Sequence, residues 1–312
     1  MAPSTVPPLP IRNFLSPRFW PTWLGLAAMW CIAHVPYRGQ LQIGKVIGRG
    51  MQVLLPRRRH IAAVNLRLCF PNLSDAQHRD LLHRHFQSLG ISLVETAMSW
   101  WTPEHKLRPL AHIEGLEYLD RALALGKGVI LLSAHFTTLE IGTHLLAMHT
   151  RFHAMYRAHK NPLFEAVMKR AREARCEKAI PSSDVRGLIQ SLKMNRAVWY
   201  ASDQNYGHKY SVFIPFFGIP AATNPAPVRL AKMSGAPIVP FFIERLSDGK
   251  GYCLTLQPML ENVPSDNIEQ DMLRIHHLIE QQVLKVPEQY LWVHRRFKDR
   301  PAGEPELYKL RT

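Results

Sequence analysis

Cysteine is scarce and scattered. The four residues, Cys31, Cys69, Cys176 and Cys253, form no C-x-x-C pair. That spacing argues against a zinc site or a disulfide framework and fits a reducing compartment. Acidic residues are also short: 24 Asp and Glu stand against 39 Lys and Arg, for a formal charge of +15. Such a balance favours polyanionic partners: an anionic membrane surface, a phosphorylated substrate, an acidic protein or nucleic acid. No recognition-helix or zinc-finger signature is present, so nucleic acid is not expected. Internal repeats, low-complexity tracts and a G-x-S-x-G nucleophile elbow are missing as well. With 312 residues, 46% hydrophobic and only 20% charged, the chain can bury a large core as one large domain or two small ones.

Long apolar runs are few. The longest uncharged one near the start is FWPTWLGLAAMWCIAHV, residues 19–35. As a helix its 17 residues would reach roughly 25 Å, slightly short of a bilayer core of about 30 Å. Trp20, Trp23 and Trp30 suit a membrane interface, and Pro21 suits a first helical turn. A cleaved signal peptide lacks its A-x-A-like site, and a buried soluble helix is the second alternative. The preferred expectation is a short membrane anchor, spanning or half-inserted. Arg38, Lys45, Arg49 and Arg57–Arg59 follow it, against only Arg12 and Arg18 before. That bias places the large C-terminal part in the cytoplasm. The expected division is therefore a tail and anchor over 1–40 and a single domain over 41–312.

Residues 41–100 read as helices, with Pro71 as a stop and Ser74 as an N-cap. From about 113, short apolar runs alternate with amphipathic segments. Strands are expected at 128–134, 197–202, 236–244 and 252–258. Helices are expected at 115–126, 137–149, 162–176, 184–194, 223–234 and 266–284. Near-continuous apolar strands separated by helices predict an α/β fold, a mostly parallel sheet covered on both faces.

The strand GVILLSA runs into His135, and Glu140 follows five residues later. On one helix, such a pair would sit about 140° apart. The two converge if the histidine lies in the turn after the strand and the glutamate in the first turn of the next helix. A structural alternative competes, because Thr137-x-x-Glu140 is a capping-box pattern. The spacing does not match zinc ligation, and neither metal nor cofactor is expected. Position favours chemistry: the carboxyl end of a strand in an open α/β sheet is where ligand sites form. A histidine there, oriented by a carboxylate, makes a general base able to activate a hydroxyl. Ser133 would share the face of His135 only if the strand continues, so a serine-nucleophile thioesterase stays an alternative.

H-x-x-x-x-[DE] after an apolar strand is similar to the motif of glycerolipid acyltransferases. The chain as a whole resembles the late acyltransferases of lipid A biosynthesis, the lauroyl/myristoyl group. RFWPTWLGLAAMW, VNLRLCFPNLS (64–74), ETAMSWW (95–101), SAHFTTLEIG, MYRAHKNPLFE, VWYASDQNYG, SVFIPFFG and PEQYLWVHRRFKDRP (287–301) carry the resemblance. The HRRFK ending resembles the lauroyl branch. The resemblance implies an enzyme at the cytoplasmic face of the bacterial inner membrane. It implies transfer of an acyl chain from acyl carrier protein to the hydroxyl of a 3-hydroxyacyl chain on a lipid A precursor. It makes His135 the catalytic base and Glu140 its acidic partner. Arg172 falls on the family's functional arginine and Asp203 on a motif acid. Arg157, Arg295 and Arg296 are further candidates for the phosphorylated headgroup, since arginine suits phosphate. Tyr290, Trp292 and His294 alternate, as a lining face or as core. The segment 211–223 reads as an acyl-tunnel wall, a membrane-dipping loop or a core hairpin. Myristoyl-type, 2-hydroxylauroyl and lysophospholipid transfer stay as alternatives, as does a non-enzymatic membrane-surface protein.

Overall fold

The computed structural model describes residues 9–156, 158–182, 184–207 and 210–309. Four helices come first: α1 (Trp20–Ala33), α2 (Tyr37–Leu54), α3 (Pro56–Cys69) and α4 (Asp75–Trp101), with the single turn α5 (Glu104–Leu107) after them. Strands and helices then alternate as β1 (Ala111–Glu114), α6 (Leu116–Leu123), β2 (Val129–Ser133), α7 (Leu139–Ala147), β3 (Phe152–Tyr156), α8 (Pro162–Glu173), β4 (Lys178–Pro181), α9 (Val185–Lys193) and β5 (Ala197–Ala201). The hairpin β6 (Val212–Phe216) and β7 (Ile219–Thr223) leads into α10 (Ala226–Ser234), β8 (Ile238–Arg245), β9 (Tyr252–Leu256) and α11 (Ile268–Lys285).

Seven strands make one sheet in the order β1-β9-β8-β2-β5-β3-β4. The five from β8 to β4 run parallel, and β9 turns antiparallel against β8. All five residues of β2 are buried, as a central strand covered on both faces requires. One core cluster gathers Ile130, Leu132 and Phe242 with α3 and α11, and the other gathers Leu131, Val239 and Leu145. The α/β expectation and all four expected strands are present. β1, β3, β4 and the β6–β7 pair add to them: KAIP is a four-residue edge strand ending in proline, too short to stand out by pattern. The segment 211–223 is a core hairpin with Ile214, Phe216, Ala221 and Ala222 buried.

The helical start needs its own explanation. Ser74 and Gln77 close a capping box on α4, satisfying two free amides of its first turn. α2 then lies against α4 through glycines. A Cβ on Gly48 would stand 2.1 Å from the Phe86 carbonyl oxygen, and one on Gly90 2.2 Å from the Gly48 nitrogen. Only glycine permits so close an approach. α1 is 14 residues long, roughly 21 Å at 1.5 Å per residue. Among the described residues, no helix is long and apolar enough to cross a membrane, so a spanning anchor finds no support. Phe14, Phe19 and Leu26 pack instead with Trp100, Leu163 and Met168, while Trp20, Leu24 and Trp30 stay exposed.

Replacing Gly48 with alanine should force α2 off α4, at about 1–3 kcal/mol or more of overpacking strain. A thermal melt of Gly48→Ala should fall clearly below wild type, whereas Gly50→Ala, where a Cβ meets nothing within 4 Å, should not fall.

Candidate active site

Strand register builds the centre. β2 and β5 are parallel neighbours with Ser133 opposite Ala201. Two residues beyond each lie His135 and Asp203, so the same register brings them together at the carboxyl end of the sheet. Asp203 Oδ1 lies 2.7 Å from His135 Nδ1, and Asp203 Oδ2 accepts the His135 backbone N–H at 3.0 Å. Asp203 is 2% exposed. Burial alone would push its carboxyl up. The His135 imidazole, the two hydrogen bonds and the Arg296 charge outweigh that and hold it well below the usual carboxylate range. The carboxylate is therefore charged, and it accepts a proton-bearing Nδ1. Nε2 of His135 is left able to accept a proton, with a side chain 28% exposed at the wall of a cavity of about 610 Å³. Met155, Leu188, Leu230 and Met233 give that cavity apolar walls, and Ser202, Gln204 and Asn205 line it near the histidine.

The C-terminal segment fixes this geometry. The Leu291 N–H donates to the His135 carbonyl at 3.0 Å, and the Thr137 N–H to the Gln289 carbonyl at 2.7 Å. Asn65 on α3 donates to the carbonyls of Trp292 and His294 and accepts from the Tyr308 hydroxyl. Asn205 and Asp299 exchange two hydrogen bonds, and the Asn205 N–H donates to His294 Nε2. Desolvation pushes His294 down to about 4, so it is a neutral acceptor. The motifs VNLRLCF, SDQNYG and PEQYLWVHRRFKD thus hold one another. Tyr290 and Trp292 are core, 3% and 1% exposed, with ring centroids 4.8 Å apart.

The expected site residues separate. The Nδ1 partner of His135 is Asp203, and Glu140 is engaged elsewhere: it accepts from Arg172 Nε at 3.2 Å, from an Arg172 terminal nitrogen at 2.6 Å and from Trp100 Nε1 at 3.1 Å. The capping box on α7 does not form either. Thr137 pairs with Ser88, and Thr138 donates to the Ile243 carbonyl. A bidentate guanidinium is a stronger partner for the glutamate than a free amide. Arg172 is 23% exposed at its side chain and is bound to that carboxylate. Arg296 is 2% exposed and donates to the Ala222 carbonyl and Thr223 Oγ1, so it meets no headgroup from there. Arg295 is exposed, its guanidinium 6.0 Å over the Tyr308 ring. Arg157 lies outside the described residues. Ser133 ends β2 and is buried at 2%. The pairing of His135 with Asp203 had a signal in the sequence: both stand two residues past the ends of apolar strands.

Asp203→Asn should keep the acceptor for the His135 N–H and lose the charge that fixes the Nδ1 proton. Turnover should fall roughly 10²- to 10⁴-fold, as for His135→Ala, while the acceptor KM moves little. An Asp203→Asn enzyme with wild-type turnover would remove the aspartate from the chemistry.

Comparisons with known proteins complete the description. The family model described as bacterial lipid A biosynthesis acyltransferase matches residues 11–299. A lipid A biosynthesis palmitoleoyltransferase of Escherichia coli (strain K12) is 39% identical over 95% of this chain and 97% of its own. A lipid A biosynthesis lauroyltransferase of the same strain is 36% identical over 94% and 96%. A lipid A biosynthesis myristoyltransferase, again of that strain, is 30% identical over 96% and 93%.

Proposed function

The chain belongs to the bacterial lipid A biosynthesis acyltransferase family, and on that premise we propose that it moves a lauroyl chain from acyl carrier protein to a 3-hydroxyacyl hydroxyl of a lipid A precursor. The observation that carries the mechanism is the 2.7 Å contact between His135 Nδ1 and the buried Asp203. His135 Nε2 takes the proton of the acceptor hydroxyl. The hydroxyl oxygen attacks the thioester carbonyl carbon. As the tetrahedral intermediate collapses, the C–S bond breaks and the imidazolium returns its proton to the departing thiolate. Asp203 stabilises the imidazolium and fixes its orientation, the role of the buried aspartate in a serine-protease triad. No protein nucleophile takes part, and no step calls for a metal or organic cofactor.

Glu140 enters this reading through Arg172. Its carboxylate holds the guanidinium in place at the junction of α4, α7 and α8. We assign the pair to positioning the reacting chains, with Glu140 acting through the arginine.

The donor is the finer part of the proposal. The HRRFK ending supports lauroyl. The named relatives include palmitoleoyl-, lauroyl- and myristoyltransferases, so these three thioesters are the natural competitors. One methylene in an apolar pocket discriminates by only about 1–3 kcal/mol, which a competition assay resolves. For location we propose the cytoplasmic face of the bacterial inner membrane. The exposed Trp20, Leu24 and Trp30 support a half-inserted α1 lying in the interface.

The test is a mass-spectrometric transfer assay. Purified enzyme receives lauroyl, myristoyl and palmitoleoyl carrier-protein thioesters together with a tetra-acylated lipid A precursor. The expected product has gained one lauroyl mass, and His135→Ala yields it at roughly 10²- to 10⁴-fold lower rate. A different added mass overturns the lauroyl assignment. Full transfer by His135→Ala overturns the mechanism.

A further inference from the structure

A second cavity, of about 670 Å³, takes no part in the mechanism above. It opens between α2, α4 and the turn from β8 to β9. Its floor is one step from the catalytic centre. Ser88 lines it and hydrogen-bonds Thr137 Oγ1 at 2.8 Å. Gln289 lines it and accepts the Thr137 N–H. The next two residues, Tyr290 and Leu291, line the small space beside His135 and Asp203.

Charge gives this cavity its chemistry. Arg245 is already neutralised by Glu95, at 2.6 and 2.8 Å. Arg84 is neutralised by Asp80 and Glu288. Arg38 and Lys45 have no ion-pair partner among the described residues, and both line the cavity. They stand seven residues apart on α2, two helical turns, and so on one side of it. Asp248 is the remaining unpaired acid of the lining, exposed at the mouth. Gln42, Gln87 and Ser247 add neutral polar groups. Two free cations with neutral donors around them suit a phosphate. The volume suits more than an ion, since small-molecule sites run to about 300–1,000 Å³. The outer faces of the same two helices are apolar: Val46 and Leu93 are 63% and 46% exposed. An anionic group in the cavity would therefore sit beside surface fit for lipid.

We infer that this cavity holds the phosphate-bearing headgroup of the lipid acceptor, gripped by Arg38 and Lys45. The inference rests on the lipid A acceptor proposed above and supplies the cationic contacts that Arg172 and Arg296, engaged within the protein, do not.

The test uses full-length Arg38→Gln/Lys45→Gln, two substitutions at exposed and half-exposed positions. With the phosphorylated acceptor, KM should rise roughly 10- to 100-fold, the loss expected of charge-assisted contacts. The turnover number and the KM for the acyl donor should stay near wild type. With a dephosphorylated acceptor, variant and wild type should behave alike. Flotation with phosphatidylcholine vesicles reads binding without catalysis. The variant should lose more affinity for vesicles carrying the phosphorylated acceptor than for vesicles of equal charge carrying phosphatidylglycerol. Equal losses on the two vesicles would reduce the cavity to general surface charge and overturn the inference. So would an unchanged acceptor KM combined with thermal stabilisation of wild type, but not the variant, by inorganic phosphate; that result assigns the site to free phosphate. If the wild type transfers no chain at all, the acyltransfer reading fails, while flotation still decides the headgroup site.

Discussion

The buried charge of Asp203 organises the rest of this molecule. A carboxylate so fully removed from water is costly unless it is paired and hydrogen-bonded. Here both oxygens bond His135, one through the ring and one through the backbone, and Arg296 adds a positive charge nearby. Arg296 is itself buried, and its two terminal nitrogens find acceptors. The β7 end supplies Ala222 and Thr223, which explains why the hairpin packs inward. The C-terminal segment must then pass between hairpin and sheet to deliver the arginine. Asn65, Asn205 and the short ladder at 289–291 hold it there. One charged aspartate thus ties α3, β2, β5, the hairpin and the segment 289–308 into one arrangement.

A second polar network is separate from the first. Glu140 binds Arg172 and Trp100, and Arg175 donates to the Trp100 carbonyl and to His144. This joins α4, α7 and α8 on the flank where α1 packs. The two networks start from the same short stretch, residues 135–140. His135 precedes the helix and is set by the sheet. Glu140 lies in its first turn and is set by neighbouring helices. That is why residues five apart in sequence serve different partners.

Much of the architecture was legible because central strands buried on both faces leave nearly unbroken apolar runs: GVILLSA, AVWYAS and APIVPFFIE could hardly be elsewhere. Ser74 was legible as a cap because its sequence carries the glutamine that completes the box. The edge strands were not, since FHAMY and KAIP are short and lie at or near the margin of the sheet. The site was legible in position and partly in wiring. Both His135 and Asp203 could be placed at strand ends, but neighbouring strands can be identified only from the sheet order, which local pattern does not encode. Glu140 looked like the partner because it is close in sequence. The register of β2 on β5 makes a residue 68 positions away closer in space. Arg296 reads as a surface cation among HRRFK; only the tertiary path of the C-terminus shows it to be interior.

α2 shows how one helix can link packing to recognition. Its glycines, Gly44 and Gly48, turn toward α4 and let the two backbones nearly touch. Arg38 and Lys45 stand two turns apart along the edge of that contact and face the basic cavity. Val46 and Val53, also seven apart, face outward at 63% and 71% exposure. Each set repeats at a whole number of turns or close to it, so each keeps its own stripe along the helix. The stripes are mechanically coupled. Bulk added on the glycine stripe would lift the cations away from Ser88 and Gln289, and so away from the floor shared with Thr137. Close packing of α2 is therefore a condition for the placement of Arg38 and Lys45, and the glycines set the distance between the basic cavity and the stretch that carries His135.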